Sequence, residues 1–213
     1  LAQKLLLASG NAKKLAELRS MCADLPLEIL SPENLPNGLP EVDEDQDNFL
    51  DNATKKAFSA AKAAREQIGE GIWALADDSG LCVEALDGAP GIHSARFAGL
   101  PESDPRELRD AANNTLLLNK LDSFPPGQRG AAFWCVLAVA REDELLFAVE
   151  GSVQGRILEK PSGEDGFGYD PLFYHELSGR SFAHLSSKEK AAVSHRGQAI
   201  ARLRQVLEHA LSS

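Results

Sequence analysis

Residues 72–88 read IWALADDSGLCVEALDG. An apolar run from Ile72 to Ala76 meets two adjacent carboxylates, Asp77 and Asp78, then Ser79-Gly80, and the chain turns apolar again at Leu81. Short apolar runs flanking turn formers predict two strands, Ile72 to Ala76 and Leu81 to Ala85, with the acids where the first strand ends. A tight Asp-Ser-Gly turn accounts for Ser79, Gly80 and one aspartate. It leaves the second aspartate without a reason. Two neighbouring anions beside a core repel each other, and a hard divalent cation such as Mg2+ relieves that repulsion. Mg2+ favours one or two carboxylates together with phosphate oxygens. A carboxylate beside such an ion can hold or deprotonate a water.

Outward from this stretch, strands and helices are mixed along the chain. Leu5 to Ala8 reads as a buried strand, followed by the turn Ser9-Gly10-Asn11 and a helical pattern over Lys13 to Ala23. Leu27 to Leu30 is a second strand, residues 31–48 form an acidic, proline-containing loop, and an Ala- and Lys-rich helix spans Phe49 to Ile68. Ser103-Asp104-Pro105 starts another helix, with Pro105 at its first position, running to about Leu121. Ala131 to Ala140 and Leu145 to Gly151 predict a hairpin across the polar turn Arg141-Glu142-Asp143-Glu144, and Val153 to Leu158 is a further strand. The last helix, Ser194 to Leu211, carries Ile200, Leu203, Leu207 and Ala210 at helical spacing. The expected class is α/β, and the hairpin argues against an all-parallel sheet.

Composition narrows the function classes. The chain has 213 residues, 43% hydrophobic and 25% charged, which suits a globular protein with a sizeable core. No apolar run approaches the ~20 residues of a membrane span. The opening LAQKLLLASGN lacks a basic leader and reads as the first strand of the fold. A formal charge of −10 argues against a surface that coats nucleic-acid polymers, whose affinity comes mainly from Lys and Arg. Cys22, Cys82 and Cys135 are odd in number and contain no CxxC pair, which fits a reducing cytoplasm better than a disulfide or zinc framework.

Four further segments have the makings of a site. SGNAKK, residues 9–14, sets a turn at a helix N-terminus, where backbone N–H groups and the helix dipole favour anions. Lys13 and Lys14 are odd in a first turn unless an anion lies near; an ordinary cap with solvated lysines is the alternative. EVDEDQDNFLDNATKKA, residues 41–57, lacks the glycine and the final glutamate of a calcium loop. Most of its acids read as a solvated loop capping a helix through Asn48, with one or two able to reach a metal and Lys55 and Lys56 able to flank the same pocket. GEDGFGYDP, residues 163–171, offers Phe167 and Tyr169 for stacking on a planar ring and Asp170 as an acceptor, unless the aromatics fold onto the core. SSKEKAAVSHRG, residues 186–197, gathers Lys188, Lys190 and Arg196 around His195, or else caps a helix at Ser194 amid solvated charges.

In this order, SGNAKK, FLDNATKKA, ADDSGL, GAPGIHSARFAG, GFGYDP and SHRGQA resemble the inosine triphosphate pyrophosphatase family over nearly the whole chain. The resemblance implies a single domain over 1–213, built as a long mixed β-sheet flanked by helices in two lobes with a central cleft. It implies Mg2+-dependent hydrolysis of ITP, dITP and XTP to the monophosphate and pyrophosphate, which cleanses the nucleotide pool and prevents misincorporation into DNA and RNA. A cytoplasmic homodimer without membrane or nucleic-acid partners is implied as well. Carried over by position, Ser9, Gly10, Asn11, Ala12, Lys13, Lys14 and Lys56 should take the phosphates. Glu44 and Asp78 should hold the metal, with Asp43 the competing ligand, and Asp78 should activate water. Ser79 should contact the substrate, and Phe167, Gly168, Tyr169, Asp170, Lys190, His195 and Arg196 should form the nucleobase end. Departures are Ser9 for a common Thr, Asp51 for Glu, His93 for Tyr and Tyr169 for an occasional Trp. Arg196 only donates, so it rewards a 6-oxo purine over adenine.

Overall fold

The computed structural model describes residues 2–212. Its seven strands are β1 (Gln3–Leu7), β2 (Leu27–Leu30), β3 (Trp73–Val83), β4 (Gly130–Arg141), β5 (Glu144–Ile157), β6 (Phe173–His175) and β7 (Arg180–Ser181). They form one sheet in the order β2-β1-β3-β4-β5-β6-β7. β1 runs parallel to β2 and β3, whereas β6 is antiparallel to β5 and β7, so the sheet is mixed, as expected. β4 and β5 are joined by only Glu142 and Asp143, a connection short enough to demand an antiparallel pair. Glu142 takes the left-handed backbone at φ 54° that such a tight turn requires.

The helices are α1 (Ala12–Met21), α2 (Phe49–Ile68), α3 (Arg106–Leu121), α4 (Ser187–Val193) and α5 (His195–Ser212). Asn48 caps α2 by accepting from the Asp51 N–H, and the helix stops at Gly69. Pro105 stands one residue before α3, at its N-cap position, rather than at its first helical position, and no side chain caps the helix there. The far end of α3 is closed by the buried Arg129, whose guanidinium donates to the carbonyls of Leu121 and Phe124 at 2.9 Å each. No helix among the described residues is long and apolar enough to cross a membrane.

Three sequence expectations change. The double aspartate is not in a turn: β3 runs unbroken through Asp77-Asp78-Ser79-Gly80. β1 pairs with β3 only as far as Leu75, while β4 is its neighbour on the other edge, and the extended strand overrides the turn preference of Asp, Ser and Gly. Likewise β5 is one strand, not two separated near Gly151. The charged segment before Ser194 is a helix of its own, α4, opened by a capping box in which Ser186 and Glu189 satisfy each other's backbone N–H groups.

The chain divides into two compact units. One holds the residues up to Asp78, Cys135–Gly151 and the chain from Ala199. In it, alternate residues of β3 serve two cores. Ala74 and Ala76 pack with Ala53, Ala57, Ala60, Ala61 and Ala64 of α2. Leu75 packs with Leu5, Leu7 and Leu18 and with Ala199, Ile200, Leu203 and Leu207 of α5. The other unit, Ser79–Trp134 and Ser152–Gln198, buries Leu81, Val83, Leu117, Leu121, Phe133, Phe173 and Phe182 together.

Candidate active site

Successive side chains of a strand point to opposite faces. Asp77 and Asp78 therefore leave β3 in opposite directions, which answers their mutual repulsion by geometry. On one face Lys14 of α1 donates to both Asp77 oxygens at 2.7 Å. The anion that makes sense of a lysine in the first turn of α1 is thus Asp77 itself. On the other face Asp78, only 7% exposed, accepts from Lys56 Nζ at 2.9 Å and from Asn52 Nδ2 at 3.3 Å.

Asn52 and Lys56 lie one helical turn apart on α2 and so share a face. The alanine-on-alanine packing of α2 against β3 carries no bulk, which brings both side chains within reach of Asp78. The same ammonium donates to Glu44 Oε1 at 2.8 Å. Asn52 Oδ1 also accepts from the Gln46 N–H at 3.2 Å, pinning the acidic loop beside Asp78. Lys55 is directed elsewhere, to the Asp45 carboxylate and the Asp43 carbonyl at 2.7 and 2.9 Å. Lys55 and Lys56 do not flank one pocket.

Burial pushes the Asp78 carboxyl above its ordinary range, and the Glu44 charge adds to that while Lys56 opposes it. For Lys56, burial works against the ammonium, but Asp78 and Glu44 outweigh it and the net direction is upward. The chemistry of this donor set suits Mg2+. Glu44 and Asp78 converge on a single cationic point, the Lys56 ammonium. Mg2+ binds through one or two carboxylates and takes its remaining oxygens from phosphates and water.

In the SGNAKK loop Asn11 caps α1, its side chain accepting from the N–H groups of Lys13 at 2.9 Å and Lys14 at 3.4 Å. Ser9 Oγ accepts from the Asn11 N–H at 3.3 Å. Gly10 has open space where a side chain would stand, so a ligand can approach its backbone closely. Lys13 and Ala12 lie toward the surface.

In the second unit Ser79 is half-buried on β3. The aromatic pair of the GFGYD loop divides. Tyr169 is 4% exposed, and its hydroxyl donates to the Ser94 carbonyl at 2.9 Å. Burial and the Asp110 charge both raise its phenol well above the usual value. Phe167 is 40% exposed, so the open ring of this loop is Phe167. Asp170 is buried and accepts from the Phe167 N–H at 2.8 Å and from Lys190 of α4. The Lys190 ammonium also lies 4.3 Å from the Phe167 ring centroid. His195, the first residue of α5, stacks on Phe133 with centroids 4.8 Å apart and planes 13° apart, and Arg196 follows it, half-buried.

Four contributors are not evident from the sequence. Asn52 was findable from its spacing to Lys56. Ser94 ties GAPGIHSARFAG to its surroundings: its Oγ accepts from the Leu81 N–H at 2.8 Å, and its carbonyl accepts from Asn113 as well as Tyr169. Asp110 and Asn114 of α3 contact Gly168, across a chain separation that no local pattern reports.

A model of the Ham1 family matches residues 5–206. A dITP/XTP pyrophosphatase of Anaeromyxobacter sp. is 46% identical, with 96% of each chain covered. The protein of that name from Escherichia coli O157:H7 is 42% identical over 97% of this chain and 99% of its own. Among solved structures, a HAM1 protein from Coxiella burnetii superposes with a TM-score of 0.86 at 36% identity, covering 97% of this chain and 99% of its own. A nucleoside-triphosphatase / dITP/XTP pyrophosphatase from Mycobacterium abscessus gives 0.74 at 42% identity, covering 94% and 98%. With a family model spanning almost its full length and relatives this similar end to end, the chain belongs to the Ham1 family.

Proposed function

We propose that the chain hydrolyses the non-standard purine nucleoside triphosphates ITP, dITP and XTP to the monophosphate and pyrophosphate, with Mg2+ as cofactor. The observation that carries this reading is the buried Asp78, held at once by Lys56 and Asn52 beside Glu44. The names borne by the relatives support the substrate class.

Glu44 and Asp78 would hold Mg2+, which would supply neutralisation of charge on the phosphate oxygens. Asp78 orients a water and takes its proton as the water oxygen bonds to the α-phosphorus. The bond from that phosphorus to the bridging oxygen then breaks, and pyrophosphate departs. Lys14 and Lys56 each have a third ammonium donor beyond those engaged with carboxylates, and these meet phosphate oxygens alongside the Ser9 to Lys13 loop. In the second unit the Phe167 ring stacks on the base, and Ser79, Gly168, Asp170, Lys190, His195 and Arg196 provide its polar contacts. Tyr169 acts from below by fixing the loop. The chain works as one catalytic domain in a cytoplasmic homodimer, and its action keeps deaminated purines out of DNA and RNA.

The test is incubation with ITP, dITP, XTP, GTP and ATP, each with MgCl2 and with EDTA. Pyrophosphate and monophosphate should appear from the first three only, and only with the metal. Orthophosphate as the product, equal turnover of ATP, or binding of ITP without turnover would each overturn the proposal.

A further inference from the structure

Three side chains at successive turns of α3, Arg106, Asp110 and Asn114, meet the aromatic loop at one residue pair, Phe167-Gly168. Asp110 Oδ2 accepts from the Gly168 N–H at 2.8 Å, and Asn114 Nδ2 donates to the Gly168 carbonyl at 2.9 Å. Both backbone groups of Gly168 are thereby held by one helix face. Arg106 lies 3.6 Å from the same Asp110 oxygen, and its guanidinium carbon is 4.7 Å from the Phe167 ring centroid. Gly168 itself sits at φ 60°, a left-handed conformation that a side chain resists. Asp170 holds the Phe167 N–H and Lys190 lies against the ring, but neither fixes the Gly168 peptide groups beside a ring that is 40% exposed. The ring orientation needs an external hold.

We infer that Asp110 and Asn114 are positioning residues that set the orientation of the Phe167 ring and thereby the selection of the base, with Arg106 steadying the ring. This inference rests on the proposed nucleotide function and deepens it. Neither side chain touches the reacting phosphate, so their loss should act on base binding while the hydrolytic step, centred on Asp78, keeps its rate. A charge-assisted hydrogen bond to a backbone N–H is the stronger of the two holds, so Asp110 dominates.

The experiment compares Asp110→Ala, Asp110→Asn and Asn114→Ala with the unaltered protein, using ITP and ATP as substrates. Asp110→Ala should raise KM for ITP about tenfold, narrow the ITP/ATP ratio of kcat/KM, and leave kcat within about twofold, as expected for loss of one such bond. Asp110→Asn keeps an acceptor for the Gly168 N–H and should recover most of the loss. Asn114→Ala should move KM in the same direction by about threefold, and it carries the test if Asp110→Ala fails to fold. Unchanged KM and ratio in both alanine variants, or kcat falling in step with thermal stability, would overturn the inference. Amide hydrogen exchange at Gly168 gives a readout independent of any activity. Protection in the unaltered protein and its loss in Asp110→Ala supports the clamp; no protection in the unaltered protein defeats it, whatever the substrate proves to be.

Discussion

Asp78 is buried with both of its oxygens engaged, one by an ammonium and one by an amide. Asparagine has the same shape and can keep a contact with Asn52, but it neither accepts a proton nor binds a cation well. Asp78→Asn should therefore lower kcat by about a thousandfold or more, with a much smaller change in KM, in a pyrophosphate-release assay. Near-normal turnover would remove Asp78 from the chemistry. Arg196→Ala tests the other end of the substrate. Loss of the donor for the 6-oxo group should cut the preference for ITP over ATP about tenfold, read as the ratio of kcat/KM values. At this scale the sequence was informative where residue type and chemistry coincide. Asp78, Lys56 and Glu44 were singled out and do meet in space. The opposed directions of Asp77 and Asp78 were not legible, because Asp, Ser and Gly in a row carry the same local signal whether they turn or extend.

Among the elements, α2 matches its expected span because its start and stop are both local, an Asn48 cap and a Gly69 end. The α4–α5 corner was hidden, since the signal that opens α4 lay inside a charged segment and Ser194 looked like the start of the only helix there. At that corner Ser194 Oγ accepts from the Gly197 N–H at 3.1 Å. A methyl group at Gly197 would collide with the Ala191 carbonyl, a backbone atom that cannot swing away. Gly197→Ala should destabilise the protein by about 1–3 kcal/mol, as overpacking does elsewhere. Urea denaturation measures this, and an unchanged midpoint would mean the two helices can re-angle freely. The corner matters because Lys190 lies on one arm while His195 and Arg196 begin the other.

For the molecule as a whole, acid sensitivity has an identifiable contributor outside the site. His175 is 4% exposed beside Phe182, with its Nδ1 2.6 Å from Ser178 Oγ. Burial lowers its pKa, and the neighbouring Glu176 charge only partly offsets this. The unfolded chain therefore binds the proton more readily than the folded one. Stability is complete above the unfolded histidine value of about 6.5 and falls as pH drops through the folded value below it. Trp73 lies in one compact unit and Trp134 in the other, the unit that holds His175. In a Trp73→Phe background, urea midpoints followed through Trp134 should decline between pH 7.5 and 5.5, and His175→Asn should flatten that decline. A slope unaltered by His175→Asn would assign it to other groups. A last consequence follows from β3, whose consecutive residues answer to different helices. Exchanging one side chain there disturbs one face alone. Adding or deleting a single residue between Trp73 and Asp77 would rotate every later side chain to the wrong face, handing the position of one aspartate to the other's lysine. In this segment, working copies of the protein can differ in spelling but not in length.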